Sequence, residues 1–477
     1  MKIKRVIAAL LCAAMAVGVS SCGTVEKESD EVVTISWYVP GDKQEGTAKV
    51  VEEANKIIEP AIGAKLDLIF IDTGAYTEKM NMMLSSQEVF DLCFTGFVNP
   101  YETTAKKGAY LALDEMLEQT PDLKASIPEW LWDAAKVSGE IYAVPNYQVC
   151  SGYMTSVVTN ELIEECGLDI ESVKKPEDLE PLLAKIKEVH PEMYPWRTAS
   201  GITMWSNDKE TITQGIYIDV DDDSLTAKIE YEAPDALDGI KTIRSWYEKG
   251  YIRGDVASAG DDNIDYINGK YGIFQSTYKP GVEAEIKIKL KKDVTQIKLG
   301  EPYVTKTKCV AAMTAVSRTS KNPEKALKLI ELMNTNKELY NLICYGIEGV
   351  HYEKLDDTYV RLNQEAGYFV NASWKFGNQF NAYLLEGAEP DIWEKTIEMN
   401  DTAKKSPLLG FTFDSAPVSS EIAQVSAVTS EYGALTNGSR DYNEFYEEYK
   451  ARLKAAGIEK LRDEVQRQLD EYKKTLN

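Results

Sequence analysis

The sequence predicts an α/β protein of two lobes joined by an extended crossover, on three observations. Residues 33–94 read strand, helix, strand, helix, strand, an order that implies a mostly parallel sheet. Residues 139–162 then pass in an extended path between two large blocks. There Gly139 can turn the chain, Ile141, Ala143 and Val144 are apolar, and Pro145 stops regular pairing. A β-rich run at 154–159 follows, and Asn160 is a good helix N-cap. Finally, 477 residues with 44% hydrophobic content suffice for two domains with their own cores. The extended stretch reads as the first crossover between lobes, with a cleft beside it.

The N-terminus carries Lys2, Lys4 and Arg5, then a short apolar run at 7–19, too short to span a bilayer. It ends in Val19-Ser20-Ser21-Cys22-Gly23, which resembles the lipobox of bacterial lipoproteins. The resemblance implies cleavage before Cys22, a diacylglycerol on its sulfur, and anchoring on the extracytoplasmic face of the cell membrane. Two acyl chains suit durable anchoring. Residues 1–21 are thus read as a lipoprotein signal peptide and 22–31, polar and charged, as a tether.

In the first block, Val32 to Val39 is a strand ended by Pro40-Gly41. A helix is expected over 46–58, with Val50, Val51, Ala54 and Ile57 at helical spacing, ended by Pro60 and Gly63. Residues 66–71 form a second strand, 76–84 a helix, and 89–94 a third strand. Ligands of open α/β sheets sit beyond the carboxyl ends of strands. Trp37, Tyr38, Thr95 and Phe97 lie at two such ends.

In the second block, Pro176-Glu177-Asp178-Leu179 starts a helix with proline and acids in its first turn. Residues 216–231 read as a hairpin. Asp219-x-Asp221-x-Asp223 with Glu230 imitates a calcium loop, but Ser224 stands where that loop needs glycine, so a solvated turn is expected. A helix at 234–247 follows. Residues 310–316 are a strand-like return, 326–333 a helix, and the chain closes in helices at 442–456 and 458–476 broken at Gly457.

Net charge is −24, which disfavours nucleic acid and anionic lipid surfaces as partners. With Cys12 and Cys22 set aside, Cys93, Cys150, Cys166, Cys309 and Cys344 remain, scattered and odd in number. That is no disulfide framework, and the sequence does not choose a pair. There is no Gly-x-Ser-x-Gly elbow and no Walker loop. His190 and His351 are far apart without metal spacing. No catalytic residue, metal ligand or cofactor is assigned. A paired-carboxylate glycosidase and a surface adhesion lipoprotein stay open as alternatives.

Several motifs, in order, resemble the extracellular solute-binding proteins (family 1 type) of bacterial ABC importers. They are Gly139-x-x-Tyr142-Ala143-Val144-Pro145, Asn160-x-Leu162, Gly269-Lys270-x-Gly272 and Ser320-x-x-Pro323-Glu324-x-Ala326. Tyr345-Gly346-Ile347-Glu348-Gly349-x-x-Tyr352, Trp374-Lys375-Phe376-Gly377-Asn378-Gln379 and Gly410-Phe411-Thr412-Phe413-Asp414 resemble a LipO-like lipoprotein subgroup. The resemblance implies a two-lobed periplasmic-binding-protein-like fold with a hinge, an interlobe cleft and a helical C-terminal region. It divides the chain into 32–148 with 308–345 as the first lobe, and 149–307 with 346–477 as the second. It also implies a monomer that hands a small solute, an oligosaccharide, to an ABC permease. Sugar rings lie on flat side chains, and their hydroxyls need polar partners. The expected stacking residues are therefore Trp37, Tyr38, Phe97, Tyr147, Trp205, Tyr278 and Trp374, with Thr95, Asn146, Glu348 and Asn378 as polar partners.

Replacing Cys22 by alanine removes the only attachment point this reading offers for acyl chains. Cys22→Ala should leave the protein unprocessed or released from membranes, and fractionation under washing that strips peripheral proteins measures it. Equal membrane retention of variant and parent would rule the anchor out.

Overall fold

The computed structural model describes residues 32–197, 208–259, 262–370 and 372–476; the leader, the tether with Cys22, and Trp205 lie outside them. The first lobe is organised by a five-stranded sheet in the order Ala64–Ile71, Val33–Pro40, Leu92–Gly96, Ala312–Val316, Ala143–Pro145. The first three strands run parallel, and Ala312–Val316 is antiparallel to both of its neighbours. Helix Thr47–Ile62 buries Val50, Ala54 and Ile58. It runs past Pro60, because a proline in the last turn forfeits a single backbone bond, and stops at Gly63 with φ 62°. Helix Thr73–Ser85 begins where the Asp72 carboxylate accepts from the Gly74 and Ala75 N–H groups.

The second lobe carries a four-stranded sheet in the order Val294–Ile297, Tyr153–Thr159, Tyr271–Tyr278, Tyr194–Arg197. Beside it, Lys209–Thr213 widens the expected hairpin into a three-stranded sheet with Ile216–Asp219 and Lys228–Ile229. The C-terminal helices Ser419–Glu431, Tyr442–Ala455 and Ile458–Lys473 cover this small sheet. Val425, Leu453, Ile458 and Leu461 bury with Ile216, Ile218 and Ile229. In the acidic turn, Asp219 pairs with Lys228, and Asp221 accepts from the Tyr303 hydroxyl at 2.8 Å and pairs with Lys404 at 2.8 Å. Lysines thus already engage these carboxylates, and among the described residues no cluster of His, Cys, Asp or Glu could hold a metal.

The segment after residue 345, expected in the second lobe, has Tyr352, Val360, Tyr368, Phe376 and Ala382 buried in one core with the five-stranded sheet. Three short strands, Tyr352–Lys354, Tyr359–Leu362 and Leu384–Leu385, replace the absent helical periodicity here. Tyrosine hydroxyls hold the segment down: Tyr368 donates to the Ile343 carbonyl at 2.7 Å and Tyr340 to the Ser373 carbonyl at 2.7 Å.

Three segments therefore cross between lobes, at 146–152, 298–311 and 403–413. The second and third are bonded to each other, and the first is fastened to Asn400, just before the third. Tyr303–Val304 pairs in parallel with Lys404–Lys405. The buried Asn400 accepts from the Cys150 N–H at 2.9 Å and the Ser151 hydroxyl at 2.8 Å, and donates to the Gln148 carbonyl at 2.7 Å. Lys306, 6% exposed, sends its ammonium to Glu102 at 2.8 Å, to the Lys136 carbonyl at 3.1 Å and to the Thr412 hydroxyl at 2.8 Å. Its backbone N–H donates to Glu210 Oε1 at 2.8 Å.

Glu210 is itself buried, and burial pushes its carboxyl above the usual carboxylate range. A carboxyl raised on folding favours the folded state most below the unfolded pKa. That contribution falls as pH rises through the usual carboxylate range to the raised value. Glu210→Gln should remove this fall. Relative to the parent, the variant should gain stability between pH 4 and pH 7, read as urea midpoints at the two values. A parent that gains more than the variant over that interval would contradict the assignment.

Candidate functional site

The carboxyl end of the first sheet and the connector end of the second each carry an aromatic pair. In the first lobe, strand Leu92–Gly96 delivers Phe97, which is 56% exposed. Its ring lies 5.7 Å from that of Trp374 and 5.7 Å from that of Phe94. Trp374 is half-buried on the short turn Ser373–Lys375. That turn is fixed at two points: the Asn146 amide donates to the Trp374 carbonyl at 3.0 Å, and Lys375 Nζ donates to the Pro40 carbonyl at 2.8 Å. Lys375 Nζ also stands 5.3 Å from the Trp374 ring centre, within cation–π range. Burial pulls its amine below the usual lysine range.

In the second lobe, Tyr278 ends strand Tyr271–Tyr278 opposite Tyr153, with ring centres 5.0 Å apart. Lys298, at the start of the second connector, donates to the Tyr278 hydroxyl at 3.1 Å and lies 4.3 Å from its ring centre. Gly152 lets the first connector pass close by. A Cβ there would sit 2.8 Å from Thr277 Cγ2 and 3.0 Å from the Tyr278 carbonyl oxygen. Phe97 and half-buried Trp374 on one lobe and half-buried Tyr278 on the other thus offer aromatic area with a lysine at its edge, the chemistry of a sugar-stacking site.

The other expected residues divide. Trp37 is 1% exposed and packs edge-on against Phe376 at 5.7 Å, so it is core. Tyr147, also buried, packs on Phe380 at 4.7 Å. Tyr38 is half-buried against Phe90. Thr95 is buried and its hydroxyl donates to the Asn99 carbonyl at 2.7 Å. Asn146 is buried and spent on the Trp374 turn, while Asn378 caps its own short helix through the Phe380 N–H. Glu348 is exposed on a turn bridged to Tyr352. The structure brings Phe97, Trp374 and Asn146 together on one lobe and places Tyr278 on the other.

Sequence reasoning missed Tyr153, Lys298 and Lys375. Their signal was adjacency: Lys375 follows Trp374, Tyr153 follows the first connector, and Lys298 opens the second. It also missed a cavity of about 270 Å³ beside Phe97, whose lining includes Tyr101, Glu102, Glu210, Lys306 and Phe411. A larger cavity of about 620 Å³ lies within the second lobe, among Tyr231, Tyr303, Tyr432, Tyr446 and Tyr449, and none of the expected residues lines it. The histidines serve structure: His351 accepts the Ile347 N–H at 2.9 Å, and His190 sits 3.0 Å from Glu165.

Over 478 aligned residues, 97% of this chain and 96% of the relative, the sequence is 31% identical to a carbohydrate ABC transporter substrate-binding protein of Streptococcus pneumoniae. This chain belongs to the substrate-binding proteins of carbohydrate ABC transporters. The substrate-binding protein is also similar in structure to NgtS, the N-glycan transport solute binding protein of S. pneumoniae. The TM-score is 0.85 at 29% identity, over 93% of this chain and 100% of that one. Crystals of NgtS with Man1GlcNAc and Man5GlcNAc match at 30% identity with TM-scores of 0.77 and 0.75, each over 93% of this chain and 100% and 99% of theirs. Residues 407–474 match a family described as a domain of unknown function, DUF3502. Relatives of this kind are extracytoplasmic binding proteins and not enzymes. Among the described residues no helix is long and apolar enough to cross a membrane.

Proposed function

We propose that this substrate-binding protein is lipid-anchored through Cys22 and works as a monomer. It captures a neutral oligosaccharide containing mannose and N-acetylglucosamine between its lobes, and passes it to an ABC permease. The observation that carries the ligand assignment is the Phe97–Trp374 pair, an aromatic surface open to solvent at the carboxyl end of the first sheet. Apolar ring faces of a sugar stack on such a surface. Half-buried Tyr278, packed on the buried Tyr153, supplies a second aromatic ring on the other lobe. NgtS, similar over nearly the whole chain, was crystallised with glycans of this class. Backbone similarity is higher to the NgtS crystal described without a glycan than to either complex, which supports a lobe arrangement here nearer to that of the former. Ligand would then bias a two-state hinge toward closure.

The division of lobes proposed from the structure is 32–148 with 308–402, and 149–307 with 403–476. The sequence Val19-Ser20-Ser21-Cys22 supports the anchor.

Calorimetry with a mannose–N-acetylglucosamine oligosaccharide tests the reading. Trp374→Ala should cost roughly 1.5–3 kcal/mol of binding, the scale of burying one large apolar side chain. That is about a ten- to hundredfold rise in dissociation constant. Trp37→Ala is no substitute, since Trp37 belongs to the core. Parental affinity in both Trp374→Ala and Phe97→Ala, or binding of peptides in place of glycans, would overturn the assignment.

A further inference from the structure

The cavity beside Phe97 is walled by four parts of the chain. The first lobe supplies Phe97 and Tyr101, and the small sheet of the second supplies Glu210 and Ile212. Lys306 comes from the second connector and Phe411 from the third. The buried part of this wall is mostly apolar, and its polar groups are nearly all engaged. Lys306 Nζ spends its three protons on Glu102, the Lys136 and Phe411 carbonyls and the Thr412 hydroxyl. The Tyr101 hydroxyl donates to the Ala135 carbonyl at 2.6 Å. Glu210 is the exception. It is 4% exposed, and its Oε1 accepts the Lys306 N–H at 2.8 Å. The Ser406 hydroxyl and the Thr307 N–H also favour its charged form, but Oε2 itself has no hydrogen-bond partner among the described residues. A buried acceptor left unpaired is costly, so this oxygen calls for a donor brought by a ligand.

We propose that this cavity is an end subsite for the glycan, taking one terminal N-acetylglucosamine residue whose acetamido N–H donates to Glu210 Oε2. The inference rests on the oligosaccharide reading above and deepens it. Phe97 joins the two regions, since it lines the cavity and pairs with Trp374. A chain stacked on that pair therefore reaches the cavity with its last ring. The volume of about 270 Å³ equals about nine waters at roughly 30 Å³ each, the space of a single sugar ring. The acetamido group suits these walls. Its N–H is one donor for the one open buried acceptor, and the apolar walls at Ile212 and Phe411 suit its methyl group. A hydroxyl in that place would leave the same apolar walls facing a polar group. Burial pushes the Glu210 carboxyl above the usual carboxylate range, and a donor at Oε2 favours its charged form, so ligand and carboxylate stabilise each other. Because the walls come from both lobes and two connectors, a ring seated there also bears on lobe closure.

Calorimetry with two disaccharides tests the subsite: mannosyl-N-acetylglucosamine and mannosyl-glucose, which differ only at the acetamido group. The parent should bind the first about tenfold more tightly or better, the scale of one hydrogen bond to a charged group. Glu210→Gln keeps an oxygen for the Lys306 N–H but turns an NH2 group toward the acetamido N–H. It should lose most of that preference while binding mannosyl-glucose as the parent does. Trp374→Ala should weaken both disaccharides alike, because it removes stacking and leaves the acetamido contact. A trisaccharide with a second N-acetylglucosamine beyond the first should bind the parent more weakly than mannosyl-N-acetylglucosamine, since the cavity has no room for another ring. A parent without the preference, a Glu210→Gln variant that keeps it, or equal or tighter binding of the trisaccharide would overturn the subsite. Equal losses on both disaccharides in Glu210→Gln would make Glu210 a structural residue and overturn it too. In each of these cases a loss in Trp374→Ala still upholds the stacking reading. A parent that binds no mannose–N-acetylglucosamine glycan would overturn both.

Discussion

One buried ammonium group ties this architecture together. Lys306 lies on the second connector, yet its side chain bonds Glu102 and the Lys136 carbonyl of the first lobe and Thr412 of the third connector. Its backbone N–H reaches Glu210 on the small sheet of the second lobe. A lysine taken out of water is costly unless its charge is paired and its donors are used. Here the carboxylate and oxygens that satisfy it come from parts of the chain that must meet for the lobes to sit side by side. Burial still pulls its amine below the usual lysine range, so the compensation is partial. That cost accompanies a defined junction: the second and third crossing segments are held together, and Asn400, just before the third, fastens the first.

A junction held in this way leaves each lobe free to move as a body with its own core. The first lobe buries its apolar residues around the five-stranded sheet, and the second around its own sheets and the C-terminal helices. The aromatic pairs lie at the ends of the sheets from which the connectors leave, so a rotation about the junction moves one pair relative to the other. DUF3502, residues 407–474, contributes the helices that roof the small sheet and the stretch around Phe411 and Thr412 that meets Lys306. In this chain it is part of the second lobe and of the hinge.

The β-α-β-α-β start, the crossover at 139–159 and the final helices broken at Gly457 were legible because each rests on local periodicity and turn chemistry. The packing of segment 346–402 was not legible because it has short strands and turns, whose partners are fixed by tertiary contacts such as Tyr368 to Ile343. Aromatic residues near loops were recognised as candidates, but their exposure was not. Trp37 and Trp374 read alike in sequence, yet one points into the core and the other lies beside an open surface. Lys306 was invisible for a similar reason. Within Lys306-Thr307-Lys308 it resembles a solvated charge run, and only the convergence of distant carbonyls reveals its burial.

The central claim is that an oligosaccharide closes two rigid lobes about this junction. Small-angle scattering of the purified protein, with and without a saturating mannose–N-acetylglucosamine oligosaccharide, tests it most directly. The account predicts a smaller radius of gyration with ligand, with binding confirmed by calorimetry on the same sample. An unchanged radius at demonstrated saturation would show a rigid glycan-binding surface in place of a closing receptor.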